Sequence, residues 1–126
     1  DCNLYWIHQM FLTPERFDEI PAHGDDMIST GLVDNADTVA QFLSAIGNEK
    51  RFAIMCHLLH GELSVGEIAQ KVELSQSALS QHLAKLRGTG LVATRRDRQM
   101  IFYSCSSKDV FQVMKTLDGL FGATPH

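Results

Sequence analysis

The sequence predicts a mainly helical domain carrying one small β-hairpin. Three observations carry that expectation. Apolar residues recur at helical spacing in successive segments from residue 34 to 86, and again over 108–121. Two short capped helices stand only a tight turn apart within residues 64–87. Two runs rich in β-branched and aromatic residues, 91–96 and 99–104, flank a polar turn.

The chain has 126 residues, 44% of them hydrophobic and 21% charged, which suits one soluble globular domain and not two filled cores. No apolar run approaches the roughly 20 residues that a membrane helix needs. The first residues lack the basic-then-apolar order of a signal peptide. The chain opens at Asp1, and Met27 is a candidate natural start. Cys2, Cys56 and Cys105 are odd in number and widely spaced. They form neither a disulfide framework nor a local zinc motif, and a cytoplasmic setting fits them best.

Residues 1–33 read as an N-terminal extension, weakly ordered or with one short helix. Thr13-Pro14-Glu15-Arg16 has the chemistry of a helix start, and Pro21 with Gly24 ends it. The main domain is expected over 34–121, with 122–126 as a tail. Val39, Phe42, Leu43 and Ile46 define a first helix of about 34–46, broken at Gly47-Asn48. Phe52, Ile54, Met55, Leu58 and Leu59 define a second, closed by His60-Gly61.

Ser64 and Glu67 form a capping box. Val65, Ile68, Ala69 and Val72 follow on one face of a short helix. Glu73-Leu74 is a tight connection, and Ser75 caps a further helix that reaches about Arg87 before Gly88-Thr89-Gly90. That pair is a helix-turn-helix. The two strands then meet at Asp97-Arg98, and Ser106 or Ser107 caps a last helix of about 108–121. Helix, helix, helix-turn-helix, hairpin, helix is a winged helix-turn-helix.

The charge distribution points to nucleic acid although the net charge is −4. Residues 1–47 hold eight acids against the single base Arg16. Residues 75–106 hold Lys85, Arg87, Arg95, Arg96 and Arg98 against the single acid Asp97. Basic charge confined to so short a stretch can present a local phosphate-binding surface.

At about 100° per residue, Leu79, Leu83 and Leu86 share one face of the helix after Ser75, with His82 and Ala78 at its edge. Ser77, Ser80, Gln81 and Ala84 take the other face, and Gln76 opens the helix. An ordinary solvent face would favour Glu and Lys. A small, uncharged, hydrogen-bonding face suits the major groove, where Gln pairs bidentately with adenine and Ser serves most bases. Gln76, Ser77, Ser80 and Gln81 are therefore expected to read bases. Ser75, Lys85, Arg87, Arg95, Arg96 and Arg98 are expected to hold the backbone or the minor groove. Tyr103 is expected to anchor the hairpin to the domain.

Residues 64–69 (SVGEIA), 74–87 (LSQSALSQHLAKLR), 90–92 (GLV) and 101–104 (IFYS) resemble the ArsR/SmtB family of bacterial transcriptional repressors. Residues 45–51 (AIGNEKR) resemble that family's entry to its second helix. The resemblance implies a homodimer paired through the first and last helices, here 34–46 and 108–121, on an imperfect palindrome of double-stranded DNA. Phe111, Leu117, Leu120 and Phe121 give the last helix more apolar residues than one buried face requires. They could equally complete the monomer core.

The resemblance also bears on what is sensed. One of the family's metal sites uses Cys-x-Cys where this chain has Ser64 and Gly66. Another uses the last helix, which here offers Asp109 and Asp118 but no His. Transition metals want imidazole or thiolate. No metal and no cofactor are expected, as in the nodulation-repressor-like members that lack a metal site. His57 and His60 read as ordinary surface or core histidines. The segment around Cys56 resembles the members that sense reactive sulfur or oxidants through two thiols. Their second thiol falls near Gly122 in this chain, and Cys105 lies elsewhere. Cys56 reads first as a small buried hydrophobe, and a thiol switch through Cys56 and Cys105 is the alternative. A DNA-free protein-interaction module ranks below both. An enzyme ranks last, since the sequence has no nucleophile elbow, phosphate loop or clustered acid-base set.

Overall fold

The computed structural model describes residues 28–122. The expected short helix at Thr13-Pro14, the candidate start at Met27 and Cys2 lie outside the described residues, as do 123–126. The chain divides into two units after Ala36. The described part of the first holds a four-residue helix, α1 (Gly31–Asp34).

From Ala36 onward the order is α2 (Ala36–Ile46), α3 (Glu49–Leu58), β1 (Leu63–Ser64), α4 (Val65–Val72), α5 (Gln76–Gly88), β2 (Val92–Asp97), β3 (Met100–Cys105) and α6 (Lys108–Leu117). A π-helical turn, Asp118–Gly122, follows α6. The strands form one antiparallel sheet in the order β1-β3-β2. This is a winged helix-turn-helix, with α4 and α5 as the helix pair and β2–β3 as the wing.

Local chemistry sets each boundary. Asn48 caps α3, its Oδ1 accepting from the backbone N–H of Lys50 and Arg51 at 2.9 and 3.1 Å. At α4 the capping box is complete: Ser64 Oγ accepts from Glu67 N–H at 3.2 Å, and Glu67 Oε1 accepts from Ser64 N–H at 2.9 Å. Those bonds hold the Glu67 carboxyl below the usual carboxylate range. Glu73 ends α4 in the left-handed region at φ 56°, and that single reversal makes the tight turn into α5.

One core unites the second unit. Ala45 and Ile46 of α2 meet Ile54, Met55 and Leu58 of α3, Ile68 and Val72 of α4, and Leu79, Leu83 and Leu86 of α5. Leu91, Val92 and Tyr103 bring in the sheet, and Val110 and Met114 bring in α6. Burial of α5 follows its apolar spacing of four and three.

Three sequence expectations are corrected and one choice between two candidates is resolved. The sheet has a third strand, β1, where only a hairpin was expected. The hairpin turn is Arg98-Gln99 and not Asp97-Arg98, because Asp97 still pairs with Met100 in the ladder. Of the two candidate caps for the last helix, Ser107 acts, accepting from Val110 N–H at 3.2 Å. The last helix keeps regular α-geometry only to Leu117, and Gly119 and Gly122, poor helix formers, sit in the π turn beyond it.

Candidate nucleic-acid interface

Helix α5 presents two unlike faces. Leu79, Leu83 and Leu86 are buried, while Gln76, Ser77, Ser80, Gln81 and Ala84 are exposed. Ala78 and His82 are intermediate and form the edge. The exposed face carries amide and hydroxyl groups and no formal charge until Lys85 and Arg87, which are also exposed. At the helix start Ser75 Oγ accepts from Ala78 N–H at 3.3 Å and lies 3.3 Å from Ser77 Oγ. The cap thus fixes the first turn, where base contacts in helix-turn-helix proteins concentrate.

Two cations ahead of α5 brace the helix pair. Arg51 Nε donates to Ala45 O at 2.6 Å and one terminal nitrogen donates to Ser44 O at 3.0 Å, closing the end of α2. Its other terminal nitrogen lies 3.3 Å from His82 Nδ1. A guanidinium only donates, so that ring nitrogen accepts and is unprotonated. Burial, with Arg51 and Lys50 nearby, pulls the His82 imidazole below its ordinary value. Lys50 Nζ donates to Val72 O at 2.9 Å, satisfying the end of α4. The sequence marks Asn48 as part of a helix break and Lys50 and Arg51 as part of the second helix's entry, but not the cap and the two braces they form. An Asn directly before a helical apolar run is the signal that would have found the cap.

The wing separates arginines that the sequence groups together. Residues alternate between the two faces of a strand. Arg96 pairs with Ile101 and shares the face of buried Tyr103 and Val92, whereas Arg95 pairs with Phe102 on the opposite face. Arg95 is engaged there with Glu62, by two bonds of 3.0 and 2.7 Å. The structure therefore does not bring Arg95 together with Arg96 and Arg98. Arg96 and Arg98 stand at the exposed tip, where Arg96 Nε donates to Arg98 O at 3.2 Å. Arg98 occupies the left-handed region at φ 60°, at a position where hairpins usually carry glycine. Tyr103 is buried against the core, as expected of an anchor.

Among the described residues, Cys56 and Cys105 are free thiols and face different spaces. Cys56 lines an apolar cavity of about 520 Å³ with Phe52, Met114 and Leu117. Burial, and secondarily Asp118, pushes its thiol up. Cys105 lines a separate open cleft of about 540 Å³ at the start of α6, with Leu58, Leu59 and Phe111. Among the described residues no group of three or more His, Cys, Asp or Glu side chains is gathered to hold a metal. No helix among them is long and apolar enough to cross a membrane.

A capped helix whose exposed first turns carry no charge, beside a basic wing, defines the class: a winged helix-turn-helix DNA-binding regulator. Residues 48–94 match the profile described as bacterial regulatory protein, arsR family. The chain is 51% identical over 89 residues to the nodulation protein NolR of Rhizobium meliloti, covering 71% of this chain and 73% of that protein. It superposes on the crystal structure of NolR from Sinorhizobium fredii with a TM-score of 0.70 at 48% identity, over 78% of this chain and 98% of the other. The repressor BigR from Xylella fastidiosa gives a TM-score of 0.72 at 35% identity, over 78% and 100%. The chain belongs to the arsR family of bacterial transcription regulators. It is a DNA-binding regulator and not an enzyme.

Proposed function

We propose that this regulator represses transcription by binding an imperfect palindrome as a homodimer, with no bound metal. The observation that carries the reading is the exposed, uncharged face formed by Gln76, Ser77, Ser80 and Gln81, bounded by Lys85 and Arg87. Gln76, Ser77, Ser80 and Gln81 read base edges, and the small serines also let the backbone come close to the groove. Ser75, Lys85, Arg87, Arg96 and Arg98 hold phosphates or the minor groove.

Dimerisation through α2 and α6 is supported by apolar side chains left in the open. Leu43 of α2 is 53% exposed, and Phe111 of α6 is 54% exposed. Leu120 and Phe121 in the following turn are 69% and 79% exposed. Leu117, by contrast, packs against the core. Large apolar side chains left open on these elements suit burial against a second copy. Two copies would set their reading helices in successive major grooves, roughly 34–36 Å apart. The metal-free reading rests on Ser64 and Gly66 standing where one family site has thiols, and on an α6 without histidine. The working compartment in this reading is the cytoplasm.

Thiol sensing through Cys56 and Cys105 is the alternative. A raised Cys56 thiol is a poor nucleophile at neutral pH, and Cys105 opens on a different cavity, so we rank it second.

Selection from a random duplex pool tests the main reading, and the expected product is a two-fold symmetric site. Gln76→Ala and Gln81→Ala then reduce discrimination by about 1–3 kcal/mol per lost bidentate pair. Arg96→Ala instead weakens all duplexes alike and flattens the salt dependence. A monomer by sedimentation, or glutamine and arginine variants that behave alike, would refute it.

A further inference from the structure

Glu62 and Arg95 lie 33 residues apart yet meet as a fork, two parallel bonds of 3.0 and 2.7 Å. The guanidinium carbon of Arg95 stands 4.7 Å from the centroid of the Phe102 ring. Asp97 Oδ2 is a further 3.9 Å neighbour. The placement of these groups in the sheet is the telling part. Phe102 belongs to the central strand β3 and pairs with Arg95 of β2 on one side and with Ser64 of β1 on the other. Glu62 directly precedes β1. The ion pair therefore spans the central strand, over an aromatic ring, and ties the two outer strands together.

The backbone brings Glu62 to this place deliberately. Gly61 sits at φ 151°, outside what L side chains readily adopt, and its N–H donates to Leu58 O at 3.2 Å. That turn delivers the chain from the end of α3 straight to the sheet edge. The sheet needs the help, because β1 pairs with β3 through only Leu63 and Ser64. Most isolated surface ion pairs contribute little. This one has the bidentate geometry, the stacked guanidinium and the extra carboxylate that distinguish pairs with structural effect.

We propose that Glu62 is a positioning residue for DNA binding: with Arg95 and Phe102 it braces the wing and sets the angle at which Arg96 and Arg98 meet a duplex. Arg95 then serves the brace and is not a phosphate ligand. The proposal rests on the DNA-binding role of the wing. It also runs against simple charge counting. Removing an acid beside a basic hairpin should favour a polyanion, whereas loss of a brace should disfavour it.

The test uses the full chain and the duplex enriched from the random pool, with affinity followed over a salt series. Expected are several-fold weaker binding for Glu62→Gln and for Arg95→Gln with an unchanged salt slope. Recovery is expected in the charge swap Glu62→Arg with Arg95→Glu. Hydrogen exchange in the free protein gives a second readout. Glu62→Gln should speed exchange across β2 and β3 and leave α5 alone. Tighter binding by Glu62→Gln, or a slope flattened by about 0.9 per lost phosphate contact in Arg95→Gln, would overturn the proposal. So would unaltered hairpin exchange, or a swap no better than the single variants. A wild-type chain that binds no duplex would instead sink the DNA-binding reading itself.

Discussion

Replacing Arg98 by glycine should make the protein more stable and a weaker binder of DNA. Arg98 is the first residue of the two-residue hairpin turn and holds φ at 60°. For an L residue the left-handed region costs roughly 1–2 kcal/mol. Glycine relieves that strain but loses more freedom on folding, about 0.5–1 kcal/mol. The side chain is exposed, so no packing is lost. The bond from Arg96 ends on the backbone oxygen of residue 98 and survives the change. The net gain is about 0–1.5 kcal/mol, and its midpoint of about 0.75 kcal/mol raises the melting temperature of a domain of this size by about 2–5 °C. Strained residues persist where function needs them, and in the proposed binding mode the need is a cation at the wing tip. Thermal melts at fixed protein concentration measure the first effect. Fluorescence anisotropy over a salt series measures the second, with a slope reduced by about 0.9 per subunit. Arg98→Ala is the control, losing the charge while keeping the strain. An unchanged melting temperature for Arg98→Gly would refute the strain argument. An unchanged salt slope would refute the role of the tip.

Three further outcomes follow from the packing. Ser64→Ala removes the buried half of the capping box and should cost about 1–2 kcal/mol, read from urea melts. Leu79→Ala empties a fully buried site and should cost about 2–5 kcal/mol, enough to consume much of a typical domain's stability. His82 gives the protein an acid sensitivity of known sign. Its folded value is depressed, so the unfolded chain binds the proton first as pH falls below about 6.5. Stability is therefore full above that pH and is lost as pH drops toward the folded value. Melts of His82→Gln between neutral and mildly acidic pH should show a shallower decline than wild type. Equal declines would assign the sensitivity to another group.

The helices were legible in the sequence because their information is local. Ser64 and Glu67 sit three apart, Leu79, Leu83 and Leu86 repeat at helical spacing, and each caps or buries within its own element. The sheet was legible only in part. Two residues, Leu63 and Ser64, cannot display an alternation, and β1 exists because β3 lies beside it. The turn was misplaced by one residue because Asp97 has turn chemistry while the ladder keeps it as a strand residue. Alternation alone places Arg95 and Arg96 on opposite faces. What the sequence hides is the partner, since nothing local links Arg95 to Glu62. The division of α6 was similarly hidden. Leu117 joins the core while Phe111 does not, a difference set by the neighbouring helices and not by hydrophobicity.

The neutral face of α5 has a physiological corollary. In the proposed binding mode, cations in the cell compete for phosphate but have no claim on the amides and hydroxyls turned toward base edges. A rise in potassium should loosen every target by a similar factor while leaving their ranking intact. Osmotic state would then govern how many promoters are occupied, and the order of preference among them would stay inscribed in four side chains that carry no charge.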